Sequence, residues 1–215
     1  ATPEELAVAF ARHEGIGCPV LDRAGRYHIG VAGEDDQWRT ATQSRPQGAD
    51  LAGGAGAVHA FANETERGEP CGDIRVKYSQ LRGVTVDENL LPFLIDEVPI
   101  LMVACSLAEG RSCIKDASEL RVKETDRIAT VVAELRKLGA QIEAREDGFV
   151  VEGPTRLRGA VMDSHGDHRL GMALAVAGSV AEGETVIENA DCIADSFPGF
   201  VDVMTGFGGQ LQVVE

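Results

Sequence analysis

The heptapeptide Arg121-Val122-Lys123-Glu124-Thr125-Asp126-Arg127 stands directly before apolar residues at helical spacing, so we expect it to open a helix over residues 123–138. Its three cations would lie where the positive end of the helix dipole disfavours them. Lys123 and Arg127 would share one helix face, beside backbone N–H groups that are free to bind an anion. The sequence therefore indicates an anion site. The alternative is a solvated helix end with local ion pairs.

The composition restricts the class of protein. The chain has 215 residues, enough for one large domain or two small ones, and we expect a single domain over residues 1–215. Hydrophobic residues make up 44% of the chain and aromatic residues 5%, which predicts an aliphatic core. The formal net charge of −15 argues against binding to nucleic acid or to an anionic membrane surface. Against this negative background, a local cluster of cations is more informative.

The cysteines and the apolar stretches indicate a cytoplasmic protein. The five cysteines are scattered without a CxxC pair, so they favour reduced thiols over a zinc or redox site. No charged-then-apolar secretory leader stands at Ala1. The longest apolar stretch, residues 98–108, is too short to cross a bilayer.

The chain divides by pattern near residue 71. In residues 1–71, which are rich in glycine, alanine and polar residues, we expect a helix at 5–11, a strand at 27–31 and a loop at 34–56. Beyond residue 71 the periodicity sharpens. It predicts, in chain order, strand 73–78, helix 95–108, strand 112–115, helix 123–138, a hairpin of 141–143 with 148–151, helix 168–180, strand 185–187, helix 197–207 and strand 210–214.

This second part of the chain repeats itself. Ala108-Glu109-Gly110 matches Ala181-Glu182-Gly183 at an offset of 73, and the same offset relates Asp96 to Arg169. Residues 138–142 resemble residues 207–211 at an offset of 69. Equivalent helices in equivalent units begin on the same side of a fold, so their charged starts should converge on one site. The candidate members are Asp96, Lys123, Glu124, Arg127, His168 and Arg169.

Two of the motifs leave alternatives open. Asp96 lies in an apolar run, where it is either an ordinary helix N-cap or a base tuned by its surroundings. The run of residues 163–169 holds two histidines and two aspartates but lacks helical H-x-x-x-H spacing. A loop in which Asp167 caps the next helix is simpler than a metal site. Arg169 would then offer a planar fork to a carboxylate or phosphate.

From about residue 72 to residue 212 the chain resembles the C-terminal half of the 5-enolpyruvylshikimate-3-phosphate synthase family, the enolpyruvyl transferases of the shikimate pathway. The motifs that carry the resemblance are Leu120-Arg121-Val122-Lys123-Glu124-Thr125-Asp126-Arg127, Asp167-His168-Arg169 and Ile95-Asp96-Glu97-Val98-Pro99-Ile100-Leu101. The pattern is more similar to the bacterial glyphosate-tolerant subgroup than to the enteric one. The resemblance implies an α/β fold of repeated βαβαββ units, an α-β prism with helices inward and sheets outward.

The resemblance also implies a reaction. Phosphoenolpyruvate and shikimate 3-phosphate would combine by addition and elimination, releasing phosphate, with no metal or organic cofactor. Asp96 falls on the family's base for the shikimate 5-hydroxyl, and Glu124 falls on the acid/base for the methylene proton of phosphoenolpyruvate. Lys123 falls on the lysine that contacts both substrates. The residues that fall on or beside the phosphoenolpyruvate grip are Arg127, His168 and Arg169.

The chain departs from the family in three ways. Asp195 stands where many members have lysine, family members are much longer, and residues 1–71 form a divergent first unit. An N-terminal-domain partner or a second copy of the chain is the expected completing surface. Two alternatives to a complete enzyme follow from these departures. One is a non-catalytic or partner-dependent anion-binding half-domain, and the other is a phosphate-binding scaffold of different specificity.

Overall fold

The computed structural model describes residues 80–214 with their side chains and, earlier in the chain, the backbone of four strands. These strands are β1 (Pro19–Leu21), β2 (Tyr27–Ile29), β3 (Ala57–Glu66) and β4 (Glu69–Lys77). The helix expected at residues 5–11 and the loop expected at 34–56 lie outside the described residues.

The four early strands form two antiparallel pairs. In the longer pair, β3 and β4, Ala57 lies opposite Lys77 and Glu66 opposite Glu69. β1 pairs with β2, which lies within the strand predicted at 27–31. The sequence pattern does not predict β3, because an alanine-rich segment gives a weak period-two signal. The change in composition near residue 71 therefore falls inside β4 and does not mark the end of an element.

A four-stranded sheet has the order β5-β6-β8-β7. Its strands are β5 (Thr85–Val86), β6 (Gly110–Ile114), β7 (Gln141–Arg145) and β8 (Gly148–Gly153). β5 is parallel to β6, whereas β8 is antiparallel to both β6 and β7. The predicted hairpin of residues 141–151 is confirmed. Ile142 and Val151 face each other across it and are buried, which gives the sheet one face toward the core.

Five helices are described: α1 (Val98–Leu107), α2 (Arg127–Lys137), α3 (His168–Val180), α4 (Ile193–Ser196) and α5 (Phe200–Gly206). A parallel strand pair, β9 (Val161–Asp163) with β10 (Val186–Glu188), flanks α3 in the sequence. α1 is apolar on nearly all sides and packs against α3 and β8, as a helix without a polar face must be buried. Strands and buried helices in this arrangement confirm the predicted α/β fold class. Among the residues described, no helix combines the length and apolar character needed to cross a membrane.

Two predictions near the C-terminus differ from the structure. The helix expected at 197–207 is present as α5 but begins only at Phe200, because Pro198 keeps Phe197 out of the helical region (φ −141°, ψ 76°). Residues 210–214 form no strand pairing within the described part of the chain. Val213 and Val214 are exposed there, so alternation of apolar residues alone did not create a strand.

The internal repeat is confirmed in the backbone. At the offset of 73, Gly110 and Gly183 both have positive φ (91° and 93°), a conformation that favours glycine. Asp116 and Asn189 match in the same way, with φ of 60° and 57°. At the offset of 69, two hydrogen bonds close equivalent helix ends: Ala140 N–H to Leu135 O at 3.0 Å and Gly209 N–H to Met204 O at 2.9 Å.

Candidate functional site

The segment before α2 differs from the sequence prediction. Residues Ser118–Val122 form a 3-10 turn, Lys123 is extended (φ −78°, ψ −156°), and α2 begins at Arg127. The prediction that Lys123 and Arg127 share a helix face is therefore wrong. Asp126 is the N-cap and accepts a hydrogen bond from the Ala129 N–H at 3.1 Å. A negatively charged N-cap is favourable at the positive end of the helix dipole. Of the three cations, only Arg127 lies within the helix, so the dipole is not opposed by all three.

Arg121 faces away from the candidate site. Its Nε donates to the Glu146 carbonyl at 2.7 Å, and its Nη2 donates to the Arg145 carbonyl at 2.7 Å. Its Nη1 donates to Asp126 at 2.9 Å. Arg121 therefore fastens the turn between β7 and β8 to the start of α2.

Arg127 is the largest side chain that is fully buried among residues 80–214, with 0% of it exposed. Its Nε and Nη2 donate to the two oxygens of Asp167 at 2.7 and 3.2 Å, in a bidentate pair. Nη2 also donates to Glu124 Oε2 at 2.6 Å, and Nη1 donates to Asp96 Oδ1 at 3.1 Å. Burial of this cation is tolerated because charged acceptors replace the water that it loses.

Three cationic side chains from separate parts of the chain lie close to the Asp96 carboxylate. It lies in the 3-10 turn Ile95–Glu97, and α1 is preceded by Glu97 without a side-chain cap, so the N-cap alternative is wrong. Asp96 Oδ1 lies 3.6 Å from Lys123 Nζ and 3.1 Å from Arg127 Nη1. Its Oδ2 lies 3.7 Å from Arg169 Nη2. The two residues related by the repeat, Asp96 and Arg169, are thus in contact.

Asp167 is the second acid at the centre of the cluster, and 0% of it is exposed. It is the N-cap of α3, as the sequence predicts, and accepts hydrogen bonds from the N–H groups of Arg169 at 3.0 Å and Leu170 at 3.2 Å. The same carboxylate holds Arg127, and Thr125 Oγ1 donates to it at 3.3 Å. One buried aspartate therefore joins the starts of α2 and α3.

The remaining candidates lie around this centre. Arg169 donates to Glu97 Oε1 at 3.0 Å and to the Asp96 carbonyl at 3.3 Å. His168 is the first residue of α3 and is half-buried, and its side chain makes no hydrogen bond or ion pair within residues 80–214. Asp195, which stands at the family's lysine position, is exposed on α4.

The cations set the protonation of the acids. Burial alone would raise the pKa of Asp96, but the charges of Arg169 and Lys123 and the hydrogen bond from Arg127 keep that pKa below its ordinary value. Burial would also raise the pKa of Asp167, but Arg127 and two backbone N–H groups keep that pKa below its ordinary value. The hydrogen bond with Glu119 and the charge of Asp96 raise the pKa of Lys123. Two carboxylates and the lysine are therefore charged at neutral pH.

Sequence reasoning missed three interactions. Glu119 binds Lys123 Nζ at 2.7 Å, and Glu97 binds Arg169 at 3.0 Å. The i, i+4 spacing of Glu119 and Lys123 could have indicated their ion pair. The pairing of Asp167 with Arg127 had no local signal, because the two residues are 40 apart in the chain.

The run of residues 163–169 holds no metal cluster. Among residues 80–214, the structure has no group of three or more His, Cys, Asp or Glu side chains placed to bind a metal ion. Asp163 Oδ1 instead accepts from the His165 N–H at 2.7 Å and from Asn189 at 2.9 Å. His165 Nε2 lies 3.0 Å from Glu134 Oε1.

The cluster can exchange internal carboxylates for an external anion. The Arg127 side chain has five N–H donors, and its four hydrogen bonds leave one of them without an acceptor among the described residues. Among the described residues Glu124 pairs only with Arg127, whereas Asp96 also contacts Lys123 and Arg169, so Glu124 is the exposed partner held by the fewest contacts. An incoming anion that replaced Glu124 on Arg127 would leave a free carboxylate beside it.

Comparison with known proteins shows which proteins the chain is similar to. A family model described as EPSP synthase (3-phosphoshikimate 1-carboxyvinyltransferase) matches residues 57–204. The 3-phosphoshikimate 1-carboxyvinyltransferase of Desulforamulus reducens is 52% identical over 151 residues, which are 70% of this chain and 35% of that protein. The protein of the same description from Alkaliphilus oremlandii is 54% identical over 137 residues, 64% of this chain and 32% of that one.

Solved structures give the same relationship. The EPSP synthase of Acinetobacter baumannii superposes with a TM-score of 0.72 and 33% identity, covering 74% of this chain and 38% of that one. The enolpyruvyl transferase NikO from Streptomyces tendae has a TM-score of 0.55 at 19% identity, over 72% of this chain and 33% of that one, and shares the fold. The chain spans about a third of the length of the curated relatives that it matches.

Proposed function

This chain belongs to the EPSP synthase family, and from that premise we propose that it provides one side of an active site for enolpyruvyl transfer. The reaction would move the enolpyruvyl group of phosphoenolpyruvate to the 5-hydroxyl of shikimate 3-phosphate and release phosphate. Both substrates are small anions, and a cluster of buried and half-buried cations suits them.

The observation that carries the proposal is the convergence on Asp96. Lys123, Arg127 and Arg169 come from three separate elements, yet their nitrogen atoms all lie within 3.7 Å of its carboxylate oxygens. Holding three cations together costs free energy through their mutual repulsion. An arrangement of this kind is typical of a site that stabilises negative charge during a reaction.

The proposed roles follow from the charge state of each group. Asp96, with its lowered pKa, is an ionised base for the 5-hydroxyl of shikimate 3-phosphate. Asp96 would take the proton of the 5-hydroxyl, and Glu124, after displacement from Arg127 and protonation from the solvent, would deliver a proton to the methylene carbon of phosphoenolpyruvate as the 5-oxygen bonds to its C2 atom. Glu124 would take a proton back from the resulting methyl group when the C2–O bond to phosphate breaks, and the released phosphate would carry away the proton held by Asp96.

The cations would bind the substrates. Arg127 and Arg169 would hold phosphoenolpyruvate, with His168 beside them, and Lys123 would contact both substrates. Without substrate, Glu124 Oε2 accepts a 2.6 Å hydrogen bond from Arg127 Nη2. Phosphoenolpyruvate bound to Arg127 would displace Glu124, which would then be free to transfer protons. Substrate binding and activation of the acid/base would thus be one event.

A completing surface is part of the proposal. The side chains of Asp96 and Glu124 are 44% and 45% exposed, so the high dielectric constant of water weakens the charge interactions of the site. We expect residues 1–215 to act as one domain. An N-terminal-domain partner or a second copy would close the site.

A product-formation assay tests the proposal. The purified chain is supplied with both substrates, alone and with the remaining part of the Desulforamulus reducens relative expressed separately. We expect slow or no turnover alone and clear turnover with the partner, which Glu124→Ala abolishes. Glu143→Ala is the matched control, because Glu143 is an exposed acid of β7 that pairs with Arg145.

A second candidate is an anion-binding half-domain without catalysis, which the presence of the acidic Asp195 at the family's usual lysine position favours. In this case phosphoenolpyruvate shifts the NMR signals of Lys123, Arg127 and Arg169, but no product forms with any partner. A scaffold of different specificity is distinguished by competition. Inorganic phosphate would displace the bound phosphoenolpyruvate, and shikimate 3-phosphate would not affect the site.

A further inference from the structure

Glu134 is a buried acid to which the proposed reaction assigns no role. It lies on α2, two helical turns after Arg127, and only 2% of it is exposed. Both carboxylate oxygens accept from Lys137 Nζ, at 2.9 and 2.8 Å. The other hydrogen bonds of the Glu134 carboxylate are made with residues outside α2. Oε2 accepts from the Asp163 N–H at 2.9 Å, and Oε1 lies 3.0 Å from His165 Nε2.

The turn that Glu134 holds is strained. His165 has φ of 55° and Gly166 has φ of 73°, so two successive residues are left-handed, and histidine adopts this conformation at a cost. The His165 N–H returns to Asp163 Oδ1 at 2.7 Å. Such a turn persists only where the surrounding hydrogen bonds determine it. Glu134 supplies two of these contacts from outside the turn.

The same turn delivers Asp167 to Arg127. The Asp167 N–H donates to the Ser164 carbonyl at 2.9 Å, which closes the turn directly before the N-cap of α3. Asp167 then makes the bidentate pair with Arg127. α2 therefore contacts residues 163–167 at two points, through Arg127 at one end and through Glu134 at the other.

We propose that Glu134 is a positioning residue for the anion site, which acts by holding residues 163–167 so that Asp167 fixes the Arg127 guanidinium. The inference deepens the proposed function and rests on it for the identity of the anion. The positional effect itself is a property of the chain without ligand.

The test uses Glu134→Met, which keeps a long side chain but removes both acceptors. Two quantities are measured on the full chain: the hydrogen-exchange rate of the Arg127 Nε–H, by NMR, and the dissociation constant of phosphoenolpyruvate, by calorimetry. We expect the exchange rate to rise and affinity to fall, each by about tenfold, since one charge-assisted hydrogen bond to Arg127 is weakened. Glu134→Gln should largely restore both, because its oxygen still accepts from the Asp163 N–H.

Leu135→Ala is the control for general destabilisation, because Leu135 is a buried residue of α2 that makes none of these hydrogen bonds. It should leave the exchange of the Arg127 Nε–H unchanged. If Leu135→Ala raises exchange as much as Glu134→Met, or if Glu134→Met leaves it unchanged, the positioning role is wrong.

Two further outcomes are distinguished. If Glu134→Met does not fold, His165→Gly replaces it, since glycine tolerates the turn and only the imidazole contact with Glu134 is lost. A rise in Arg127 Nε–H exchange in this variant supports the proposal, and no rise contradicts it. If phosphoenolpyruvate does not bind the unmodified chain under any condition, the proposed function fails, whereas the exchange measurement still decides the role of Glu134.

Discussion

At the scale of single residues, Arg127 and Asp167 form the most constrained pair in the candidate site. Both side chains are fully buried, so each charge has lost its water and is stabilised by the opposite charge of the other residue. A buried ion pair adds little net stability, because both charges lose their water. Removing one member, however, leaves the other charge buried and unpaired. Substitution of either residue should therefore be costly.

We predict that Arg127→Met lowers the free energy of unfolding by about 3–5 kcal/mol, because Asp167 remains as an unpaired buried charge. Urea denaturation at neutral pH measures the change. Arg169→Met is the matched control. The Arg169 side chain is 32% exposed and its acidic partners are more so, and we expect a loss within about 1 kcal/mol. Equal losses in both variants would contradict this assignment.

The lowered pKa of Asp167 predicts how stability depends on pH. As pH falls below the ordinary value of 3.8, the unfolded state takes up a proton that folded Asp167 refuses. The contribution of Asp167 to the free energy of unfolding is therefore complete above about that pH and is lost as the pH falls toward the folded pKa. Asp167→Asn, though less stable at neutral pH, should lose less between about pH 5 and pH 2.5. Parallel curves for the two proteins, from urea denaturation across this range, would refute the assignment.

At the scale of elements, capping decides where α2 begins. Asp126 accepts the Ala129 N–H, and the extended Lys123 lies outside the helix. The consequence for the site is direct. Lys123 reaches Asp96 from a non-helical segment, whereas Arg127 reaches it from the first position of the helix.

Removal of this cap tests the boundary. We expect Asp126→Ala to lower the free energy of unfolding by about 1 kcal/mol, because the Ala129 N–H loses its acceptor. Asp126→Asn keeps a side-chain oxygen at the N-cap and loses only the ion pair with Arg121, so its loss should be smaller. The comparison is made by urea denaturation of the three proteins. A loss for asparagine as large as that for alanine would show that the ion pair, and not the cap, is what matters.

At the scale of the whole molecule, the repeat explains how the site arises. Asp96 lies before α1 and Arg169 at the start of α3, these two helices are followed by turns with matching backbone conformation, and they pack together. Their starts therefore meet without a dedicated connecting element. The cations gathered there belong to a chain with a net charge of −15, so the favourable field for an anion is local.

We predict that phosphoenolpyruvate binding by the isolated chain weakens steeply as salt is added. Partly exposed charges such as Lys123 and Arg169 are screened within roughly 10 Å at about 0.1 M salt, and the surrounding acidic surface adds no attraction. Calorimetric titration over a range of NaCl concentrations measures the effect. Adding the completing fragment should tighten binding and reduce its salt dependence, since closure excludes water. A salt dependence that is the same with and without the fragment would argue against closure.

Much of the architecture follows from local sequence signals. The β7–β8 hairpin, α3 and the repeat at offsets of 73 and 69 were all predicted, because periodicity, glycine stops and capping residues act over a few positions. The late start of α5 and the missing strand at 210–214 show the limit of the same signals. Apolar alternation predicts a strand, but a strand exists only where another backbone pairs with it.

The sequence by itself determined that Asp167 caps α3 and that Arg127 lies near the start of α2, and the family motifs indicated that the charged residues belong together. Tertiary structure alone decided which charge meets which. Asp167 is 40 residues from Arg127 and Glu134 is 31 residues from His165, and no local pattern relates either pair. Such partners are selected by how α2 and α3 pack, because a buried charge is stable only beside an opposite charge that packing brings within hydrogen-bond distance.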